Sequence, residues 1–352
     1  MSKFLKASAG LLVSAFFVWL TLHKKSHEEL VAIWDAIVGV PKLSLLLYFL
    51  CLAGVHLTRT VRWGILVEPL DPDIGFKRLN AVSAVGFMLL ITLPFRLGEV
   101  ARPALLADKK KITISNSLAS IVVERVVDGL TMTVLLLVTL LFVHSDSPDL
   151  ARVRIGGWAF FSAFGGGGAF LLFAAWKPKI ATGIVHAIGD RISPKLTLKA
   201  VALIDAFIAG LKAVPSAGKI VLFVALTVFY WGLNGFGLYV LAHGFNLQLD
   251  VLGAYTTLAV LTVGVMIPAG PGMAGIFQYF TELGLKLFLP LSVVAVAGSA
   301  FSNVVWGMQF GQQVLFGLIF MALGHITPSQ ALHAGDDDAG SPPAVSTEMS
   351  PQ

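Results

Sequence analysis

At 352 residues, 56% of them hydrophobic and only 13% charged, with a mean hydropathy of +0.83, the chain lacks the polar surface of a soluble globule. Soluble domains carry about 25% charged residues, so the composition points to an integral membrane protein. A formal charge of +5 is too small to argue for a nucleic-acid partner, and the single cysteine, Cys51, excludes disulfides and cysteine-based metal sites.

Lys3 and Lys6 precede an apolar run over 7–22 that ends at His23-Lys24-Lys25 with no small-x-small cleavage site. The pattern predicts a retained first span rather than a cleaved signal peptide. Further apolar segments fall at 43–66, 79–93, 115–143, 155–176, 219–243, 251–267 and 290–324. A straight crossing needs roughly 20 residues; the runs 79–93 and 251–267 are the shortest, and both end in proline and glycine. The run 290–324 is long enough for one tilted helix or for a hairpin bent around Gly307 and Gly311. Between 177 and 218 lies a basic interval in which Ala200 to Leu211 has helical apolar spacing, as expected of a helix on the membrane surface. The residues from Thr327 on are rich in Pro, Ser, Ala and Asp and are expected to be disordered.

Basic loops face the cytoplasm. Placing 177–218 there also puts the N-terminus and Lys109-Lys110-Lys111 inside. If 79–93 dips in from the cytoplasm and returns, Arg59, Arg62, Lys77 and Arg78 are inside as well. By the same count 251–267 enters from outside. Pro94-x-x-x-Gly98 and Pro268-x-x-x-Gly272 then match at an offset of 174 residues, in opposite orientations. Paired interrupted helices of this kind line substrate sites in transporters. The expected fold is an all-α polytopic membrane protein of about six full spans plus two re-entrant or broken helices in an inverted repeat. It would form one transmembrane domain over 1–324, with repeat halves near 43–143 and 219–324 and a disordered tail over 325–352.

The first break carries Arg96, Glu99 and Arg102, and the segment after it carries Glu124, Arg125 and Asp128 on one helix face. Charges at membrane depth normally face a partner or a wet cavity. Arg125 can neutralise only one of the two carboxylates, and the six charges together sum to zero, so a closed network between the two elements is expected. That network is either a purely architectural clasp or a track in which Arg96, Arg102 or Arg125 receives an anionic headgroup. The second break, Pro268, Gly270, Pro271 and Gly272 with Gln278 beyond it, has no charge in its flank over 273–278. Asn303, Gln309, Gln312 and Gln313 supply neutral polarity instead. The run Gly165 to Gly168 reads as close helix packing. No metal-ligand spacing, cofactor motif or activated nucleophile is present, and no enzymatic activity is expected.

Leu93-Pro94-x-Arg96-x-Gly98-Glu99-x-x-Arg102, followed by Ser117-Leu118-Ala119-Ser120-x-x-x-Glu124-Arg125-x-x-Asp128, resembles the signature of the flippase-like membrane family. That family includes the transmembrane region of lysylphosphatidylglycerol synthase. Pro268-x-x-Pro271-Gly272-x-x-Gly275 is similar to its second motif, with Met273-Ala274 and Gln278 departing from the usual glycine and glutamate. The resemblance implies a bacterial inner-membrane protein that moves a lipid or lipid-linked headgroup between leaflets. The alternative is a non-transporting membrane partner of a lipid- or glycan-modifying enzyme. The soluble aminoacyl-transfer domain of the bifunctional synthases is not expected after the last span.

Overall fold

Long apolar runs without proline become long helices, and the two proline-glycine interruptions become reversals of the chain. The computed structural model describes residues 3–23, 25–93, 98–107, 112–145, 147–213, 216–267 and 269–327, and among them every regular element is helical. In chain order these are α1 (Lys3–Leu22), α2 (His27–Gly39), α3 (Lys42–Val67), α4 (Phe76–Thr92) and α5 (Ala101–Leu106). Then come α6 (Ile114–Phe142), α7 (Asp149–Trp176), α8 (Pro178–Gly189), α9 (Pro194–Ala213), α10 (Ala217–Gly244), α11 (Val251–Gly264), α12 (Ile276–Leu285) and α13 (Leu291–Ala322). Five helices, α3, α6, α7, α10 and α13, are long and apolar enough to cross a membrane. The 20-residue α1, with its apolar stretch Leu11–Leu22, is the sixth element of that kind in the sequence reading.

Local signals set the helix starts. Ser26 and Glu29 form a reciprocal capping box on α2, Thr113 accepts from the Asn116 amide on α6, and Asp250 accepts from the Gly253 amide on α11. Each cap satisfies amides that the first helical turn leaves without partners.

Both short runs form hairpins. The Arg78 guanidinium, in the first turn of α4, donates to the Leu106 carbonyl at 3.0 Å, so the chain returns after α5 to the end it left. In the second hairpin Gly284 packs against Thr257 and Gly264 against Phe280, which sets α12 antiparallel to α11. Leu249, before α11, and Leu287 and Leu289, after α12, share one buried cluster.

The halves are related by exchange. Helices α3 and α10 pack on each other, antiparallel, with Tyr48 and Cys51 against Gly237 and Ser44 against Gly244. Helix α4 of the first half packs on α13 of the second, and α11 of the second packs on α6 of the first. Each half thus lends a helix to the packing of the other. Helix α4 also touches the 3₁₀ turn Pro271–Met273, so the two hairpin tips adjoin within the bundle.

One open alternative is decided and one expectation is corrected. The run 290–324 is not a hairpin: α13 continues through Gly307 and Gly311, and its irregularity is a π-turn at Val294–Gly298. Glycine inside a helix costs only about 1 kcal/mol relative to alanine, too little to fold a helix back without a second cause. No neighbour approaches the Cβ position of Gly307. Gly307→Ala should therefore leave the melting temperature unchanged or raise it by a few degrees; a marked drop would mean that α13 bends there. The interval 177–218 forms two helices, and α9 packs across α6 rather than lying on a surface. Its Phe207 is buried with Ile65, Leu66, Val123 and Phe223, so the apolar stripe faces protein. The glycine run stays within α7, where Gly168 packs on Leu130.

Pro94, Arg96, Lys109 to Lys111, Pro268 and the tail from 328 on lie outside the described residues.

Candidate functional site

The buried charges converge at the inner face of α6, but the central cation is one that the sequence reading counted only as a charge on the cytoplasmic side. Arg62 on α3 is fully buried and grips both acidic residues of α6. Its Nη2 donates to Asp128 Oδ2 at 2.9 Å and to Glu124 Oε1 at 2.9 Å, and its Nη1 pairs with Asp128 Oδ1. The same Nη1 donates to Thr227 Oγ1 on α10 at 3.1 Å, tying a third helix to the pair. A planar guanidinium can serve two carboxylates at once because its donors are fixed in a fork.

The expected partners occupy the next positions. Arg102, on α5, donates from Nη1 to Glu124 Oε2 at 3.0 Å. Arg125 reaches Glu124 at 3.4 Å and Asp128 at 3.8 Å through Nη2, and about a third of its side chain is exposed. Glu99 stands with Arg102 and Arg125 around a small cleft lined also by Phe87, Leu90 and Ile121. The structure thus joins Glu99, Arg102, Glu124, Arg125 and Asp128, as the network reading expects, and adds Arg62 as its hub. The missed signal is positional: Arg62 sits well within an apolar helix, where a charge marks a site by default.

Aromatic rings complete the cluster. The Arg102 guanidinium lies 4.2 Å from the Trp63 ring centre and 4.5 Å from that of Phe87. The Arg59 guanidinium lies 3.8 Å from the Phe87 centre and 5.4 Å from that of Tyr230. Such contacts favour a cation without removing its charge. Gly86 makes room for Arg102, since a Cβ there would run into the arginine side chain.

Four guanidinium groups, on Arg59, Arg62, Arg102 and Arg125, thus surround three carboxylates, on Glu99, Glu124 and Asp128. Among the described residues Arg59 has no carboxylate within ion-pairing distance, and Nε and Nη2 of buried Arg102 have no hydrogen-bond acceptor. The cluster holds more donors than its own carboxylates use.

The second break is chemically distinct. Gly270 donates its amide to Ser14 Oγ of α1 at 3.0 Å, and Trp306 Nε1 donates to the Gly272 carbonyl at 2.7 Å. Gln278 Oε1 accepts from the Gly275 amide at 2.8 Å, and its Nε2 reaches Asn303 at 3.3 Å. Gln278 therefore caps the start of α12 with its side chain. Gly270, Pro271, Gly272 and Gln278 are brought together at this tip, though not onto the arginine cluster. The charge nearest this tip lies just beyond the neutral flank over 273–278. Glu282, one helical turn beyond Gln278, is 8% exposed and accepts from Ser299 Oγ at 2.7 Å. The i, i+4 spacing of Gln278 and Glu282 is the signal that marks it.

Helices of membrane-crossing length, paired hairpins and buried ion pairs define a polytopic α-helical membrane protein. Residues 8–317 match the family model described as Lysylphosphatidylglycerol synthase TM region, and the chain belongs to that family. No curated protein and no solved structure matches it. Among the described residues no group of His, Cys, Asp and Glu side chains is arranged to hold a metal ion.

Proposed function

We propose that this protein moves a lipid or lipid-linked headgroup between leaflets, through a polar path between the tips of two opposed re-entrant hairpins. The observation that carries the reading is the surplus of guanidinium donors that α3, α5 and α6 gather against the first hairpin. Membership of a family named for lipid-modifying membrane proteins supports the substrate class. Broken backbone at membrane depth persists only where protein or a wet cavity satisfies it, and the Ser14 and Trp306 bonds to the second tip supply that satisfaction. In this reading the N-terminus is cytoplasmic, the first hairpin enters from the cytoplasm and the second from outside. An anionic headgroup enters beside Arg59, Arg102 and Arg125, while Arg62 holds the carboxylates of α6 in place. The protein carries rather than converts its substrate.

The test is lipid movement in vesicles reconstituted with the full-length protein and fluorescent lipids of several headgroups. Movement should exceed that in protein-free vesicles, most for anionic headgroups. Arg59→Gln should slow it roughly tenfold or more, since a hydrogen bond to a charged group contributes about 1.5–3 kcal/mol. Movement no faster than in protein-free vesicles for every headgroup would overturn the proposal. A lipid-modifying enzyme co-purifying under those conditions would favour the role of a non-transporting partner.

A further inference from the structure

At the other end of the bundle from Arg78 and Leu106, a cavity of about 250 Å³ opens between α1, α2, α12 and α13. Val18, Leu22, Leu30, Ile33 and Ile37 form its apolar wall, and Lys25, Gln278, Glu282, Ser299 and Asn303 its polar one. The π-turn of α13 builds that polar wall. Lys25 Nζ donates to the Ala295 carbonyl within that turn at 2.7 Å and to Ser299 Oγ at 2.8 Å. Ser299 in turn donates to Glu282 Oε1. A cation and a carboxylate thus face one cavity with a single hydroxyl between them, and they form no direct ion pair. The neutral groups are already engaged: Gln278 bonds Asn303 and the Gly275 amide, and Asn303 Nδ2 donates to the Ser299 carbonyl. Unused capacity rests on the two charges. Lys25 has a third N–H, and only Oε1 of Glu282 is engaged among the described residues.

We propose that this cavity binds the headgroup of a zwitterionic phospholipid bearing a primary amine, with the ammonium on Glu282 and the phosphate on Lys25. A solely anionic headgroup would place its charge beside a buried carboxylate, which disfavours it. A quaternary ammonium has no N–H for Glu282, and the one aromatic side chain on the wall, Trp34, is not the aromatic cage such groups take. Pockets that enclose a whole drug-sized ligand measure roughly 300–1,000 Å³; this cavity is smaller, so it takes a headgroup and leaves the acyl chains outside. The apolar wall on α1 and α2 gives those chains their track. Helix α2, capped at Ser26 and exposing Leu30, Val31, Trp34 and Val38, has the make-up of a helix lying in the membrane interface, the depth at which headgroups reside. The inference concerns equilibrium binding and stands whether or not the protein moves lipid.

Binding is measured on purified full-length protein in detergent by native mass spectrometry. The probes are phosphatidylethanolamine, phosphatidylcholine and phosphatidylglycerol with matched chains, and soluble glycerophosphoethanolamine as competitor. The wild-type protein should prefer phosphatidylethanolamine about tenfold, the effect of one charge-assisted hydrogen bond. Glu282→Gln should remove that preference, Lys25→Met should weaken all three lipids alike, and Arg152→Gln, exposed in the first turn of α7, should leave the preference intact. Equal affinity of the wild-type protein for the three lipids overturns the proposal, whether or not the variants fold. So does an unchanged preference in Glu282→Gln. Competition by the soluble compound at the lipid's own affinity would overturn the assignment to a membrane lipid.

Discussion

Arg62→Met should be the most damaging single substitution in the protein. Methionine fills a similar volume and suits a helix, so neither a cavity nor a propensity change dominates. What is lost is the cation that holds Glu124 and Asp128, all three buried. Removing one partner of a buried ion pair costs about 3–5 kcal/mol, because the other charge stays desolvated. Whole domains are stable by only about 5–15 kcal/mol, so the variant should lose much of its folded population. Arg125→Met should be milder, since its contacts are longer and its side chain partly exposed. Thermal melting in detergent compares the two. The combined variant Arg62→Met, Glu124→Gln, Asp128→Asn should recover part of the loss, since it removes the stranded charges. Equal melting temperatures for Arg62→Met and Arg125→Met would show that Arg62 is not the hub.

Gly275→Ala should come second. Gly275 has φ +82°, a left-handed conformation that costs other residues roughly 1–2 kcal/mol. A Cβ there would also stand 2.8 Å from the Phe17 carbonyl carbon and 2.9 Å from the Ser14 carbonyl oxygen of α1. These atoms are backbone and cannot rotate aside, so α1 must move, at a further overpacking cost of about 1–3 kcal/mol. Its displacement breaks the bond from the Gly270 amide to Ser14. The expected result is a melting temperature lowered by many degrees and an α1 that proteases cleave readily. A variant that melts like the wild type with α1 still protected would mean that α1 does not dock on the second hairpin.

Hydropathy and charge spacing made the architecture legible. The shortness of 79–93 and 251–267, each ending in proline and glycine, pointed to the two reversals, because both runs fall short of the roughly 20 residues of a straight crossing. Glu124, Arg125 and Asp128 were legible as one face for the same geometric reason. Arg62 was not, because the charge rule used it to place α3 relative to the membrane and left open which way its side chain turns. Only the packing of α3 on α6 and α10 decides that. Glu282 escaped because the search stopped at the break, whereas the helix that follows carries its chemistry one turn further. The course of α13 was open because a π-turn leaves no mark in residue spacing, and it is read only once Lys25 is seen on the Ala295 carbonyl.

The exchange of packing partners between the halves bears on how the chain is made. The face of α4 that carries Leu79 and Met88 is covered by Val314, Phe320 and Met321, in the last long helix to be synthesised. Until those residues emerge, the first hairpin lacks the neighbour that covers this face. Arg102 is held meanwhile by Glu124 of α6 and by the rings of Trp63 and Phe87. Completion of the chain, rather than of either half, is therefore the event that closes the structure.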